Sequence, residues 1–136
     1  MNLEPGAPIS DLTRLLRSLE PELHQGVYVF AVLPAGRELG SLPVVATFLE
    51  REGLTVVVEE GAAQQAGLSS LFRAAWITLT VHSDLEAVGL TAAFSGALAD
   101  AGISCNVLAG AYHDHLFVPV ARAQEALGLL RNLGRQ

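Results

Sequence analysis

The chain contains no lysine; all eight of its basic residues are arginine. That excludes Schiff-base and pyridoxal chemistry, which need a lysine amine, and a phosphate loop of the lysine type. Charge is sparse, at 16% of residues, and the net value is −6. From Ala74 to Ala121 there is no arginine either, while Asp84, Glu86, Asp100 and Asp114 fall in that stretch. Nucleic acid needs a positive surface, so it is not expected as a partner. The single cysteine, Cys105, has no mate for an internal disulfide, which makes a reducing cytoplasm the natural compartment. No apolar run reaches about 18 uncharged residues, so neither a membrane span nor a membrane partner is expected. The opening MNLEPGAPISD lacks the basic and apolar regions of a secretory signal.

What is present is apolar. Hydrophobic residues make up 51% of 136, enough for one compact unit or two very small ones sharing a core. The most informative stretch runs from Ala75 to Val120. Ala75 to His82 alternates, with Ile77, Leu79 and Val81 on one face and Trp76, Thr78 and Thr80 on the other. That is the period of a strand with one buried face. The period then changes: Leu90, Ala93, Phe94, Ala97, Leu98 and Ala101 recur at three and four, as on a helix with one apolar stripe. Gly102 follows, where a left-handed cap is wanted. Ser104 to Ala111 and His115 to Val120 read as strands joined near Tyr112 to Asp114, with Cys105 in a buried-looking position.

Before this stretch, Ser10 or Asp11 can cap a helix striped by Ile9, Leu12, Leu15, Leu16 and Leu19 and ended by Pro21. GVYVFAVL, from Gly26, is apolar on both faces and is expected to be covered on both. After the Pro34–Pro43 loop, Val44 to Glu50 and Leu54 to Glu59 form a hairpin turning at Arg51-Glu52-Gly53, and a short helical piece spans Gly61 to Leu68. A last helix carries Ala123, Ala126, Leu127 and Leu130 on one face. Laying Leu54 on Leu116 also brings Val56 onto Val118, Val58 onto Val120 and Glu52 onto Asp114. In both halves a hairpin precedes a helix, which points to an internal repeat.

Gly89, Leu90, Ala92, Leu98, Ala99, Ala101, Gly102 and Ile103 stand as G-L-x-A-x-x-x-x-x-L-A-x-A-G-I, followed by AYHDHLFVP. This pattern resembles ACT domains, small βαββαβ modules that bind amino acids and regulate other proteins, and more distantly the CASTOR family of arginine sensors. The resemblance implies an α+β, ferredoxin-like tandem of ACT domains, with an antiparallel sheet and helices packed on one face. Residues 1–68 would be a degenerate first half, lacking a helix between its first strand and its hairpin, and 69–136 the second. The N-terminal helix is expected to fill the vacant place on the first half. Joining the halves edge to edge would remove two exposed sheet edges. The open face, with Trp76, Thr78, Phe117 and Tyr112, is a candidate contact for a homodimer.

A ligand has one natural place. The turn 82–89 leads into a helix whose first amides lack partners and carry partial positive charge, so they can hold a carboxylate without arginine. Gly89 allows close approach, and Asp84 or Glu86 can hold an amino group; the same acids can simply cap the helix. In the family this turn commonly reads D-x-P-G, and here Glu86 and Val88 replace the Asp and Pro. Asn106, in an apolar strand, needs a partner for its amide, in a ligand or a neighbouring loop. Asp114 either forms the turn or, as the arginine-sensor resemblance implies, holds an amino or guanidinium group. The expected ligand site is thus Ser83, Asp84, Glu86, Val88, Gly89, Leu90, Asn106 and Asp114, with a small amino acid as ligand and no cofactor. His82, His113 and His115, with Cys105 as a possible fourth, offer an alternative zinc or nickel site or merely a polar hairpin tip. No enzyme is expected: Ser83, His82 and Asp84 are sequence neighbours, which cannot align as a triad, and there is no nucleophile elbow.

Overall fold

The computed structural model describes residues 11–81 and 83–135. Ile9, Ser10 and His82, named above, lie outside the described residues, as does the lead-in from 1 to 8. The chain divides into two compact units, one formed by residues 25–75 and the other by residues up to 24 together with those from 76 onward. The expected seam at 68/69 falls between the first unit's helix and its last strand.

In the 25–75 unit, β2 (Tyr28–Leu33) pairs antiparallel with β4 (Leu54–Glu59), from Tyr28↔Glu59 to Leu33↔Leu54. β3 (Val44–Leu49) lies outside β4, with a bulge between Val44 and Ala46. On the other side of β2 runs the start of β5 (Phe72–Leu79), with Tyr28↔Ala74 and Phe30↔Phe72. The order β3-β4-β2-β5 is that of a ferredoxin-like sheet. Helix α2 (Glu60–Gln65) packs on β2 and β4. Val29, Ala31, Leu33, Val56, Val58 and Ala63 close a core between them. The expectation that β2 is covered on both faces fails at Val32, which is 41% exposed. The helix α2 covers only the Val29–Ala31–Leu33 face, and neighbouring strand side chains are no substitute at the far end.

The other unit begins with α1 (Leu12–Arg17). Asp11 caps it by accepting a hydrogen bond from the Thr13 amide at 3.0 Å. β1 (Pro21–Leu23) is a strand that periodicity did not reveal. Three residues are too few to show alternation, and proline is tolerated as the first residue of an edge strand. It pairs antiparallel with the end of β5, Pro21↔Leu79 to Leu23↔Ile77. On the other side of β5 lie β7 (Asp114–Pro119) and then β6 (Asn106–Ala109), registered Asn106↔Phe117 and Ala109↔Asp114. Helices α3 (Leu90–Asp100) and α4 (Ala123–Leu133) pack on each other, and α4 packs on β1 and β7. Phe94, Leu98, Ile77, Leu116, Val118 and Leu130 are wholly buried. The module's strand order is therefore completed by β1, which arrives from the opposite end of the chain.

This placement corrects the expected role of the N-terminal helix. α1 does not fill the vacancy in the first half: it packs against α3, within the unit that contains Trp76 and all that follows. The reason lies in its connection. β1 follows α1 directly and is fixed on β5, so α1 is held on that side.

Candidate functional site

The turn between β5 and α3 is shaped by Asp84, whose Oδ1 accepts the Glu86 amide at 2.9 Å while its carbonyl accepts the Ala87 amide. Gly89 caps α3 with φ 103° and no side-chain hydrogen bond. Only glycine occupies that region without strain. β7 brings Asp114 alongside, 6% exposed, and the Ser83 hydroxyl donates to its Oδ2 at 3.4 Å. Burial pushes the Asp114 carboxyl above its usual range; the Ser83 bond, His115 and His113 pull it back.

A pocket of about 60 Å³ remains, lined by Ser83, Asp84, Leu85, Ala87, Leu90, Thr91, Ala109 and Asp114. The structure thus brings together four of the expected residues: Ser83, Asp84, Leu90 and Asp114. Glu86 is exposed, and Val88 is 83% exposed. Asn106 is exposed on β6, so solvent satisfies its amide and no buried partner is required. The close approach that Gly89 permits is made by α1: a Cβ there would stand 3.0 Å from Leu12 Cδ2. Leu85, Ala87, Thr91 and Ala109 escaped the sequence reading because none bears a distinctive charge; the clue to Thr91 was its place in the first turn of α3.

A second cluster was only half legible. His24, just beyond β1, lies flat on Trp76, ring centroids 3.5 Å apart and planes within 7°. Its Nε2 is 2.7 Å from Thr78 Oγ1, which in turn is 3.0 Å from His115 Nδ1. Trp76 donates its indole N–H to the same Nδ1 at 3.1 Å. An indole nitrogen can only donate, so His115 Nδ1 is an acceptor and carries no proton. Burial lowers the pKa of both imidazoles; for His115, His113 and His24 add to the effect and Asp114 opposes it, while Glu22 opposes it for His24. Phe117 stacks on Trp76 at 6.2 Å. Thr78 and Phe117 are 5% and 1% exposed, so the expected open face is closed at these positions; only Tyr112 of the four stands well out, at 68%.

Of the three histidines of the alternative metal site, His82 lies outside the described residues. Among the described residues no three histidine, cysteine, aspartate or glutamate side chains are placed to share an ion. His115 is engaged by Trp76 and Thr78, while His113 Nδ1 is buried with no partner among the described residues. Cys105 precedes β6 rather than lying in a buried strand, and burial pushes its thiol up to about 11, which disfavours the thiolate a metal needs.

Comparison with known proteins agrees with this geometry. An ACT-domain model matches residues 7–75, and a second ACT-domain model matches 72–132. The chain belongs to the ACT-domain family and carries two such domains in tandem. A solved Vibrio cholerae protein, described as of unknown function and a possible transport protein, is 53% identical. The alignment covers 90% of this chain and 95% of that one, with a TM-score of 0.82. An Agrobacterium tumefaciens protein shares the fold at 19% identity and TM-score 0.66, over 85% of this chain and 89% of its own. The regulatory subunit of aspartate kinase from Thermus flavus does so at 12% identity and TM-score 0.65, over 84% and 96%. No protein of curated function matches the chain. The family match supports a regulatory, small-molecule-binding role, and no described helix is long and apolar enough to cross a membrane.

Proposed function

We propose that this tandem ACT protein is a non-catalytic sensor of a small amino acid, with the pocket between Asp114 and the start of α3 as the seat of the ligand's charged end. The observation that carries the reading is the meeting of two opposite features in one pocket. Asp114 is a buried carboxylate with a raised pKa, and no arginine lines its pocket, which favours an incoming ammonium group. Leu90 and Thr91 belong to the first turn of an eleven-residue helix, whose unpaired amides favour a carboxylate. An α-amino acid presents both charges on one small head group.

The volume sets a limit. At about 60 Å³ the pocket is well below the ~300–1,000 Å³ of sites that enclose a whole ligand. It takes the zwitterionic head, and a side chain larger than a methyl group extends outward, to be covered by a second copy of the chain. Ligand binding would then be read out as a change in self-association or in association with another chain.

Thermal-shift measurements against the twenty amino acids test the reading. A ligand present at a hundred times its Kd stabilises by about 2.7 kcal/mol, which is readily seen. Absence of a shift for every amino acid at millimolar concentration would overturn the proposal. A shift produced only by divalent metals, and abolished by chelator, would replace it with the histidine-based alternative.

A further inference from the structure

A groove of about 410 Å³ lies where α1 and α4 end, lined in part by Arg17, Leu19, Glu20, Arg131, Gly134 and Arg135. Three of the chain's eight arginines meet there. Of the other five, Arg73 pairs with Glu60, Arg122 with Glu125, and Arg37 donates to the Ala66 carbonyl, while Arg14 and Arg51 form no ion pair among the described residues. Arg17, Arg131 and Arg135 form no ion pair among the described residues, although Glu20 lines the same groove.

Helix electrostatics explain part of this. Arg17 and Arg131 sit in the last turns of α1 and α4, where a cation offsets the negative end of the helix. Arg135 lies beyond α4 and has no such role. The convergence itself comes from a close backbone approach. A Cβ on Gly134 would be 3.0 Å from the Leu16 carbonyl oxygen and 3.3 Å from that of Leu19. Two helix ends therefore abut, and the guanidinium groups they carry are gathered around one concavity of a protein whose net charge is −6. Guanidinium forks match planar or tetrahedral oxyanions by paired hydrogen bonds.

We propose that this groove binds a small molecule carrying two or more negative charges, of the phosphate-ester or polycarboxylate class. Its volume lies within the range of small-molecule sites, about 300–1,000 Å³. It shares no lining residue with the pocket beside Asp114, so it does not depend on the amino-acid reading. A tandem ACT protein with both sites would respond to two metabolites, one zwitterionic and one anionic.

Calorimetric titration with inorganic phosphate and, separately, with citrate tests the proposal, with ionic strength held constant by sodium chloride. Saturable binding of either anion is expected, accompanied by a rise in Tm over the chloride control. The Arg17→Gln, Arg131→Gln double variant is expected to bind about tenfold more weakly or worse, since tenfold corresponds to only about 1.4 kcal/mol. A response to phosphate alone assigns phosphate esters, a response to citrate alone assigns polycarboxylates, and both support a general oxyanion site. If the double variant does not fold, Arg135→Gln, beyond the last helix, takes its place. No binding above the chloride control, or equal binding by wild type and variant, overturns the proposal.

Discussion

Trp76 donates its indole N–H to the Nδ1 of His115 at 3.1 Å, fixing which nitrogen of that imidazole stays bare. Protonation of Nδ1 would set two donors against each other. His24, stacked on the same indole, also has its pKa lowered by burial. A histidine whose folded pKa lies below the unfolded value near 6.5 favours folding fully above that value. The contribution is lost as pH falls through the lower, folded value. Denaturant unfolding at pH 7, 6 and 5 should therefore show falling stability, with the unfolded state taking up more protons. His115→Gln should flatten this dependence and weaken folding at pH 7 by about 1 kcal/mol, as for one lost hydrogen bond. An unchanged pH slope in the variant would show that the network is not the source.

Two glycines flanking α3 permit a clean comparison. Gly89 and Gly102 both have positive φ, 103° and 73°, but a Cβ at 89 would meet Leu12 at 3.0 Å whereas one at 102 would meet open space. Gly102→Ala should cost about 1–2 kcal/mol from backbone conformation alone. Gly89→Ala should cost more, and Leu12→Ala in the same chain should recover part of the excess. Equal costs in thermal or urea unfolding would mean that α1 does not press on the start of α3.

Asp114 has the opposite pH behaviour to the histidines. Its folded pKa is raised, chiefly by burial. Its favourable contribution is present below the unfolded value near 3.8 and is lost as pH rises through the folded one. At neutral pH the buried charge is a burden, so Asp114→Asn should leave stability unchanged or increased. The same variant should abolish stabilisation by the amino acid found in the screen. Retention of the ligand shift in a folded Asp114→Asn protein would remove Asp114 from the site.

Phe94 is wholly buried on α3, between Leu90 and Leu98 on the same face. Phe94→Ala should destabilise by about 3–5 kcal/mol, through lost apolar contact and the cavity left behind. Urea unfolding monitored by far-UV circular dichroism measures it.

The long periodic segments could be read directly. Leu90, Phe94 and Leu98 announced α3, and the alternation of Ile77 and Leu79 announced β5. Hairpin β3–β4 was equally plain, because its determinants are local, and Asp11 was one of the two cap candidates alongside Ser10. What escaped was set by distant pairing. Three-residue β1 has no period of its own, so its place on β5 was hidden. With it went His24, an unremarkable histidine until that strand lays it on Trp76. The exposure of Asn106 was misjudged because valine and leucine neighbours suit an edge strand as well as a central one. At the site, Asp84 and Asp114 were visible as acids at turns, but the intrusion of Leu12 beside Gly89 depends on where α1 docks.

Strand β5 also has a practical consequence. Its opening residues ladder with β2 and its closing residues with β1. A fragment that ends before residue 77 loses the partner of β1, and a fragment starting at residue 25 discards the edge that finishes the C-terminal module. The two domains therefore cannot be expressed apart simply by dividing the gene in the middle. A viable single module would need its missing edge supplied, for instance by grafting residues 20–24 after α4 through a short linker.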